Sequence, residues 1–342
     1  MTLTADPRLT TLADVPVEKL HTDEVDIDVE LVEGLVADQF PQWVGRPVGE
    51  VRPQGTDNAM FRLGDDLAVR MPRTLDRAAG IAHEREWLPR IAAHLPVGVP
   101  LPVATGRPGR DYPCAWAVTS WLPGANPTAA ADDDAHQLAV DLAEFVAALQ
   151  SIDTRGEQGV GPLWSYRGGP LAARQPDTRA AIVACDGLLD TQLVTDVWED
   201  VSRVTEGVGP PRWIHTDLQP GNLLVAGHRL CGVIDFGGLA IGDPAVDTIV
   251  AWNLLGAESR QTFRETLDVD DETWARGRAW ALSIGLVALP YYQHTDRTLA
   301  QVSRRQIDAV VSDHLQTPTS AFPEQAGSVA WASTPATGPD VV

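Results

Sequence analysis

An α+β fold in two lobes is what this sequence predicts, on three observations. The first third of the chain alternates apolar and polar residues in short runs, the pattern of a small antiparallel sheet. A connector rich in Pro and Gly, WLPGANP at 121–127, then interrupts the pattern. Beyond it, apolar residues recur chiefly at helical spacing, as in a larger and mainly helical lobe. A cleft between two such lobes is a favoured place for a ligand.

Residues 1–26 are polar and acidic without periodicity and read as a loose arm over the first lobe, which spans 27–122. Ile27, Leu31, Leu35, Val36 and Phe40 fall on one helical face, so a helix is expected over 27–40. Strands follow at 47–52, 59–63 and 67–71, the last two closed into a tight hairpin by Gly64-Asp65. Residues 76–95 read as a helix with Asp76 as N-cap and a kink at Pro89. Strands at 103–106 and 114–121 complete the sheet. The second lobe, 123–316, opens with an amphipathic helix over 134–152, followed by a stretch rich in Gly, Pro and Arg at 155–176 and helices to about 205. A strand–loop–strand core at 212–236 breaks the helical pattern. Helices resume near 245–255, 259–267, 272–289 and 299–315, with Trp252, Trp274 and Trp280 at core positions. Residues 317–342, rich in Pro, Ser, Thr, Ala and Gly, read as a disordered tail.

Composition narrows the function. The 342 residues carry 26 basic and 47 acidic side chains, a net charge of −21. Such a field repels phosphate backbones and anionic lipid, which excludes nucleic acid and membrane surfaces as partners. Solubility is the ordinary use of this acidity, and attraction of a cation is the sharper one. The acidic residues at 268–272 have the same two readings, a solvated face or a lure for an amine. Lysine occurs once, at Lys19, so nearly all positive charge is arginine. Cys114, Cys185 and Cys231 form neither a CxxC pair nor a disulfide framework, and no secretory leader pattern opens the chain, so a reducing cytoplasm is expected. The longest apolar stretch, about 280–292, is shorter than the ~18–20 residues that span a bilayer.

The segment WIHTDLQPGNLLVAGHRLCGVIDFGG at 213–238 carries the chemistry. Asp217 heads a loop that Pro220 and Gly221 turn before Asn222. Apolar pairs on either side of Gly227-His228 predict a hairpin beneath that loop, which brings Asn222 and Asp235 to one end. Two hard oxygen ligands are then placed for Mg²⁺, an ion held by few protein groups plus substrate phosphates. Asp217 stays close by, to orient and deprotonate an attacking hydroxyl. Taken singly, Asp217, Asn222 and Asp235 are also ordinary turn and cap residues.

The order HxDxxxxN followed by IDFG is the phosphoryl-transfer signature of protein kinases. In the form HTDLQPGNLL…GVIDFGGLAIGDPAVD it resembles the aminoglycoside phosphotransferase and choline kinase family. The resemblance extends to GTDNAMFRLGDDLAVRMPR (55–73), EREWLPRIAAHLPVGVPLPVATGRPG (84–109) and DDETWARGRAWALS (270–283), and so covers about 30–315. It implies a protein-kinase-like fold, ATP or GTP and Mg²⁺ as cofactors, and antibiotic resistance among the family's roles. It also implies Asp217 as catalytic base, with Asn222 and Asp235 as Mg²⁺ ligands. On the 67–71 strand, Ala68 and Arg70 share a face; the resemblance sets Ala68 under the base and Arg70 under the phosphates, where the family ordinarily has lysine. Arginine keeps the charge but binds phosphate as a fork. Glu84 resembles the residue that holds this cation, with Glu86 as the competing choice. Gly55, Thr56, Asp57 and Asn58 stand where a phosphate loop would offer backbone N–H groups. The connector 119–122 stands where backbone groups hold the purine, with Leu122 beside it and Trp121 either stacked there or in the core. His215, Asp243 and Asp247 are read as structural support, His215 bracing the loop and Asp243 capping a helix with Pro244 at its first position.

Asp243 follows Asp235 by only eight positions and no APE motif follows, which leaves no activation segment for an extended peptide. The acceptor is therefore expected to be a small molecule bearing a hydroxyl, cationic if the net charge is a guide, that takes the γ-phosphoryl group. The alternative is a nucleotide-binding pseudokinase or regulatory protein without turnover, for which Arg70 is the one supporting feature.

Overall fold

The computed structural model describes residues 24–52, 54–128, 132–157, 159, 161–203 and 209–316. The disordered tail and most of the loose arm expected from the sequence lie outside them. The described end of the arm is pinned to the first lobe. Val25 N–H donates to Arg73 O at 2.9 Å, and buried Glu24 takes Arg73 Nη1 at 2.7 Å.

Helix α1 (Val29–Gln39) begins where Asp28 accepts the Leu31 N–H at 2.8 Å, satisfying one of the free donors of its first turn. It lays Val32, Leu35 and Val36 on a five-stranded sheet of β1 (Val48–Glu50), β2 (Asn58–Leu63), β3 (Leu67–Pro72), β4 (Pro102–Gly106) and β5 (Trp116–Ser120). The strand order is β1-β2-β3-β5-β4, antiparallel throughout. Central β3 sets Leu67, Val69 and Met71 in this core with Phe61, Trp116 and Val118. Period two then turns Ala68 and Arg70 to the opposite face, as the sequence predicts. Gly64 holds φ 66° in the β2–β3 turn. Gly106 is required for closeness: a Cβ there would lie 1.9 Å from Trp116 Cε2.

Helix α2 (Ala78–Ile91) starts later than expected, and Asp76 does not cap it. The Asp76 carboxylate instead accepts the Thr74 hydroxyl, so the cap position falls to Arg77, which makes no side-chain capping bond. The helix carries Pro89 within it and ends at Ile91. It ties the lobes together: Trp87, Leu88 and Ile91 are buried in the core of the second lobe, and His83 Nε2 meets Leu239 O at 2.7 Å.

The second lobe is built from α3 (Asp132–Ser151), α4 (Gln175–Ala184), α5 (Thr191–Val201), α6 (Val250–Asn253), α7 (Ala257–Leu267), α8 (Asp271–Tyr292) and α9 (Arg297–Gln316). Among the helices sit two small sheets, β6 (Arg212–Ile214) with β9 (Ala240–Gly242) and the hairpin β7 (Leu223–Ala226) with β8 (Arg229–Val233). Strand β9 is too short to leave an alternating pattern in the sequence. The helix expected over 245–255 is split into a 3₁₀ segment, Pro244–Ile249, and the single turn of α6. Trp252 and Trp280 are fully buried, and half-buried Trp274 packs on Trp252 with ring centroids 4.6 Å apart. Among the described residues no helix is long and apolar enough to cross a membrane.

Candidate active site

The β7–β8 register does what the sequence requires of it. Leu223 pairs with Val233, and Ile234 N–H donates to Asn222 O at 2.9 Å, so Asn222 and Asp235 meet at one end of the hairpin. Asn222 Nδ2 donates to Asp217 O at 2.9 Å and to Asp217 Oδ2 at 3.0 Å. Two oxygen acceptors on the nitrogen fix the amide's orientation and turn its Oδ1 away from Asp217. Asp217 Oδ2 also accepts Gln219 Nε2 at 3.0 Å, and Oδ1 accepts Arg167 Nη1. The carboxylate is thus oriented from three sides, and a charge-assisted bond is among its partners.

Behind this loop, Asp247 and His215 hold its backbone. His215 and Thr216 donate their N–H groups to Asp247 Oδ2 and Oδ1, each at 2.8 Å. Thr216 holds φ 74° there, an uncommon conformation for a threonine. Burial pushes the Asp247 carboxyl up to about 7, against the two N–H groups and with the charge of Asp217 adding to the rise. His215 Nε2 sits 3.1 Å from Ile234 O, and Asp217 N–H donates to Nδ1 at 3.3 Å. One ring nitrogen must donate and the other accept, which is a neutral imidazole, and burial lowers its pKa accordingly. His215 therefore braces the loop. Asp243 accepts Ala245 N–H at 3.1 Å, capping as expected, and also holds buried Arg276 of α8 at 2.8 and 3.2 Å.

Across the cleft, Arg70 Nη1 donates to Glu84 Oε2, and Nη2 lies 3.4 Å from Asp235 Oδ1. Both partners of the Arg70–Glu84 pair are buried. Glu86 instead faces Arg90 on its own helix at 3.5 Å. Burial alone would lower the pKa of Arg70, yet the charges of Glu84, Asp235 and Asp57 carry it above the ordinary value. Glu84 Oε1 has no partner among the described residues.

A cavity of about 450 Å³ opens between these two sets of groups. Of the residues singled out from the sequence, Thr56, Asp57, Asn58, Arg70, Asp217 and Asp235 line it. Gly55, Ala68, Glu84, Trp121, Leu122, Asn222, His215, Asp243 and Asp247 do not. Trp121 is not in the core, the second of the two settings weighed for it. It is only half-buried, its ring lies under the Arg62 guanidinium at 4.3 Å, and its backbone N–H donates to Asp66 O at 2.8 Å. A Cβ on Gly98 or Gly232 would lie 3.1 or 3.2 Å from a Leu122 methyl, so Leu122 packs over those two glycines. In the loop before β2, Gly55 O accepts Arg73 Nε at 2.9 Å, and Asp57 takes Arg77 Nη1 at 3.2 Å.

Sequence reasoning missed Arg167. It arrives from the irregular stretch before α4, where it also donates to Tyr166 OH at 3.0 Å and Thr216 O at 3.3 Å. The charge of Asp217, with Tyr166 beside it, raises its pKa against a burial that works to lower it. The far side of the cavity is formed by α8 and α9.

The donor set suits Mg²⁺. Asp235 offers a carboxylate that is 39% exposed at the cavity, and the oriented Asn222 amide offers a second hard oxygen. Among the described residues no group of three or more His, Cys, Asp or Glu could hold a metal ion.

A profile described as "Phosphotransferase enzyme family" matches residues 48–280. No curated protein matches the chain. Solved structures do. A GDP complex of aminoglycoside 2′-phosphotransferase-IIIa is 19% identical, with a TM-score of 0.65 over 84% of this chain and 100% of that one. A streptomycin–ATP complex of APH(2″)-IIa is 19% identical, with a TM-score of 0.54 over 86% and 98%. The macrolide 2′-phosphotransferase MphH from Brachybacterium faecium is 21% identical, with a TM-score of 0.54 over 82% and 98%. At these identities the likeness is one of fold, the kinase-like two-lobed fold of these enzymes.

Proposed function

The chain belongs to the phosphotransferase enzyme family, and from that premise we propose that it transfers the γ-phosphoryl group of ATP or GTP to a hydroxyl of a small molecule. One observation carries this reading: Asp217, held by Arg167, Gln219 and Asn222, faces the same cavity as Arg70 and Asp235. A nucleophile and a phosphate must meet where charge is neutralised and geometry is fixed, and positioning does most of the work in such reactions.

In this reading the acceptor oxygen attacks the γ-phosphorus, and its new O–P bond forms as the bond to the β-phosphate oxygen breaks. The hydroxyl proton passes to the Asp217 carboxylate, and the nucleoside diphosphate departs. Arg70, fixed by Glu84, lies against the phosphates in the place where the family has lysine. Asn222 and Asp235 are the groups that would hold Mg²⁺, which when bound offsets the phosphate charge. Neutral His215 moves no proton and keeps the loop in shape through Ile234 O and Asp247.

Asp217→Ala and Asp235→Ala separate these roles. Asp217→Ala abolishes coupled nucleoside-diphosphate release while nucleotide binding, read by calorimetry, persists. Asp235→Ala weakens binding of the nucleotide in Mg²⁺ and leaves binding in EDTA little changed. Undiminished turnover in Asp217→Ala removes that residue from the mechanism. Binding with no turnover in the unmodified protein, across a panel of aminoglycosides, macrolides and amino alcohols, is the result that a pseudokinase would give.

A further inference from the structure

The acceptor side of the cavity has a composition that the net charge of −21 does not foretell. Helix α8 presents Ile284, Ala288 and Tyr292, and α9 presents Leu299 and Val302. The spacings of four and three residues put each set on one helical face. No carboxylate lines the cavity from either helix among the described residues. The polar groups that do reach this wall are spent inside the protein: Ser303 Oγ donates to Leu299 O at 2.8 Å, and Gln306 Nε2 donates to Ala281 O at 2.5 Å. Tyr292 is pushed up to about 12 by burial, with the charges of Asp57 and Asp217 behind it, and stays a neutral phenol.

The acids that line the cavity lie off α8 and α9, and each has a cation beside it. Asp57 and Asp76 face Arg77 at 3.2 and 3.6 Å, Asp235 faces Arg70, and Asp217 is paired with Arg167. The acidic run at 268–272 could have served an amine, but it sits at the other end of α8. At 1.5 Å per residue, Ile284 is roughly 20 Å along the axis from Asp271. Those acids also have local work, Asp270 capping α8 through Thr273 N–H at 2.7 Å and Asp271 pairing with Arg264.

From this we infer that the acceptor is an alcohol with an extended apolar face and at most one positive charge, not a polyamino sugar. The inference rests on the phosphotransferase reading and narrows its substrate. A molecule with several ammonium groups would have to shed their water against this wall with no carboxylate on it to receive them. An apolar ring system covers Ile284, Ala288, Leu299 and Val302 with a gain from the buried area. Tyr166 is 49% exposed and lines the same cavity, so its ring can flank such a face. Asn253, also in the lining, donates to Leu218 O at 2.9 Å, so its amide nitrogen too is spent inside the protein.

The test compares two probes by calorimetry on the full chain saturated with nucleoside diphosphate and Mg²⁺: kanamycin, which carries several amines, and erythronolide B, an uncharged macrolactone alcohol. The macrolactone is expected to bind at least tenfold more tightly, with affinity that changes less than twofold between 50 and 500 mM KCl. Ala288→Asp, which sets a carboxylate in the wall, is expected to bring that ratio down at least fivefold. A ratio below ten in the unmodified protein overturns the inference, whether because kanamycin binds as well or because the macrolactone does not bind. Coupled nucleoside-diphosphate release with ATP or GTP over the panel of aminoglycosides, macrolides and amino alcohols, measured on the same protein, tells the two failures apart. Acceptor-dependent release that Asp217→Asn abolishes leaves the phosphotransferase reading standing when the probe ratio fails, and no release with any acceptor removes that reading as well.

Discussion

Arg167→Gln is the substitution that bears most directly on how Asp217 is held. Arg167 and Asp217 are 24% and 29% exposed, between the surface pairs that contribute ~0–1 kcal/mol and the buried pairs whose disruption costs about 3–5. A value of ~1–2 kcal/mol follows, which is roughly a five- to thirtyfold loss in rate if the pair is made in the transition state. Because Arg167 touches Asp217 and the Thr216 carbonyl, the loss is expected in kcat, with the KM for nucleotide changing less than about twofold. A double-mutant cycle makes this decisive. Asp217→Asn alone should cost on the order of 10²–10⁴ in turnover. Adding Arg167→Gln to it should cost less than about twofold, because the positioning of a missing base no longer matters. Coupled nucleoside-diphosphate release at saturating nucleotide measures all four proteins. An equal loss from Arg167→Gln in both backgrounds would refute the argument that Arg167 acts through Asp217.

Two further predictions concern the support of the loop. The raised pKa of Asp247 means that the folded state holds a proton that the unfolded chain has released, so this residue's contribution falls as pH rises from about 4 to about 7. The fall is at most ~1.4 kcal/mol per pH unit, and the unfolding free energy of Asp247→Asn, titrated with urea at several pH values, should decline less steeply over that window than that of the unmodified protein. Asp243→Ala leaves Arg276 buried without its carboxylate; this should cost about 3–5 kcal/mol and lower Tm by roughly 6–20 °C in calorimetry. Asp243→Ala with Arg276→Met should recover most of that loss.

Much of the architecture was legible because its signals are local. Alternation in Leu67–Pro72 placed Arg70 opposite the core residues Val69 and Met71, and apolar pairs around Gly227-His228 predicted the hairpin that joins Asn222 to Asp235. What escaped was set by partners distant in the chain. Arg167 reaches Asp217 across fifty residues from a stretch with no periodicity, and Arg276 reaches Asp243 across thirty-three. Asp76 has the composition of a cap, but a neighbouring hydroxyl at Thr74 competes for its carboxylate. Trp121 follows β5 with the residue type of a stacking platform, yet Arg62, on the strand beside β3, covers it. Net charge is a sum over the chain and says nothing of which wall of the cavity the acids occupy.

Convergence of Asp217, Asn222, Asp235 and Arg70 on one reaction is the account's central claim, and mass spectrometry of the products tests it most directly. With ATP or GTP and Mg²⁺, the unmodified protein is expected to add one phosphoryl group to an alcohol while one equivalent of nucleoside diphosphate appears, and Asp217→Asn to form neither at a comparable rate. Nucleotide that binds and is returned intact from every acceptor, or a phosphorylated product formed equally fast by Asp217→Asn, would contradict it.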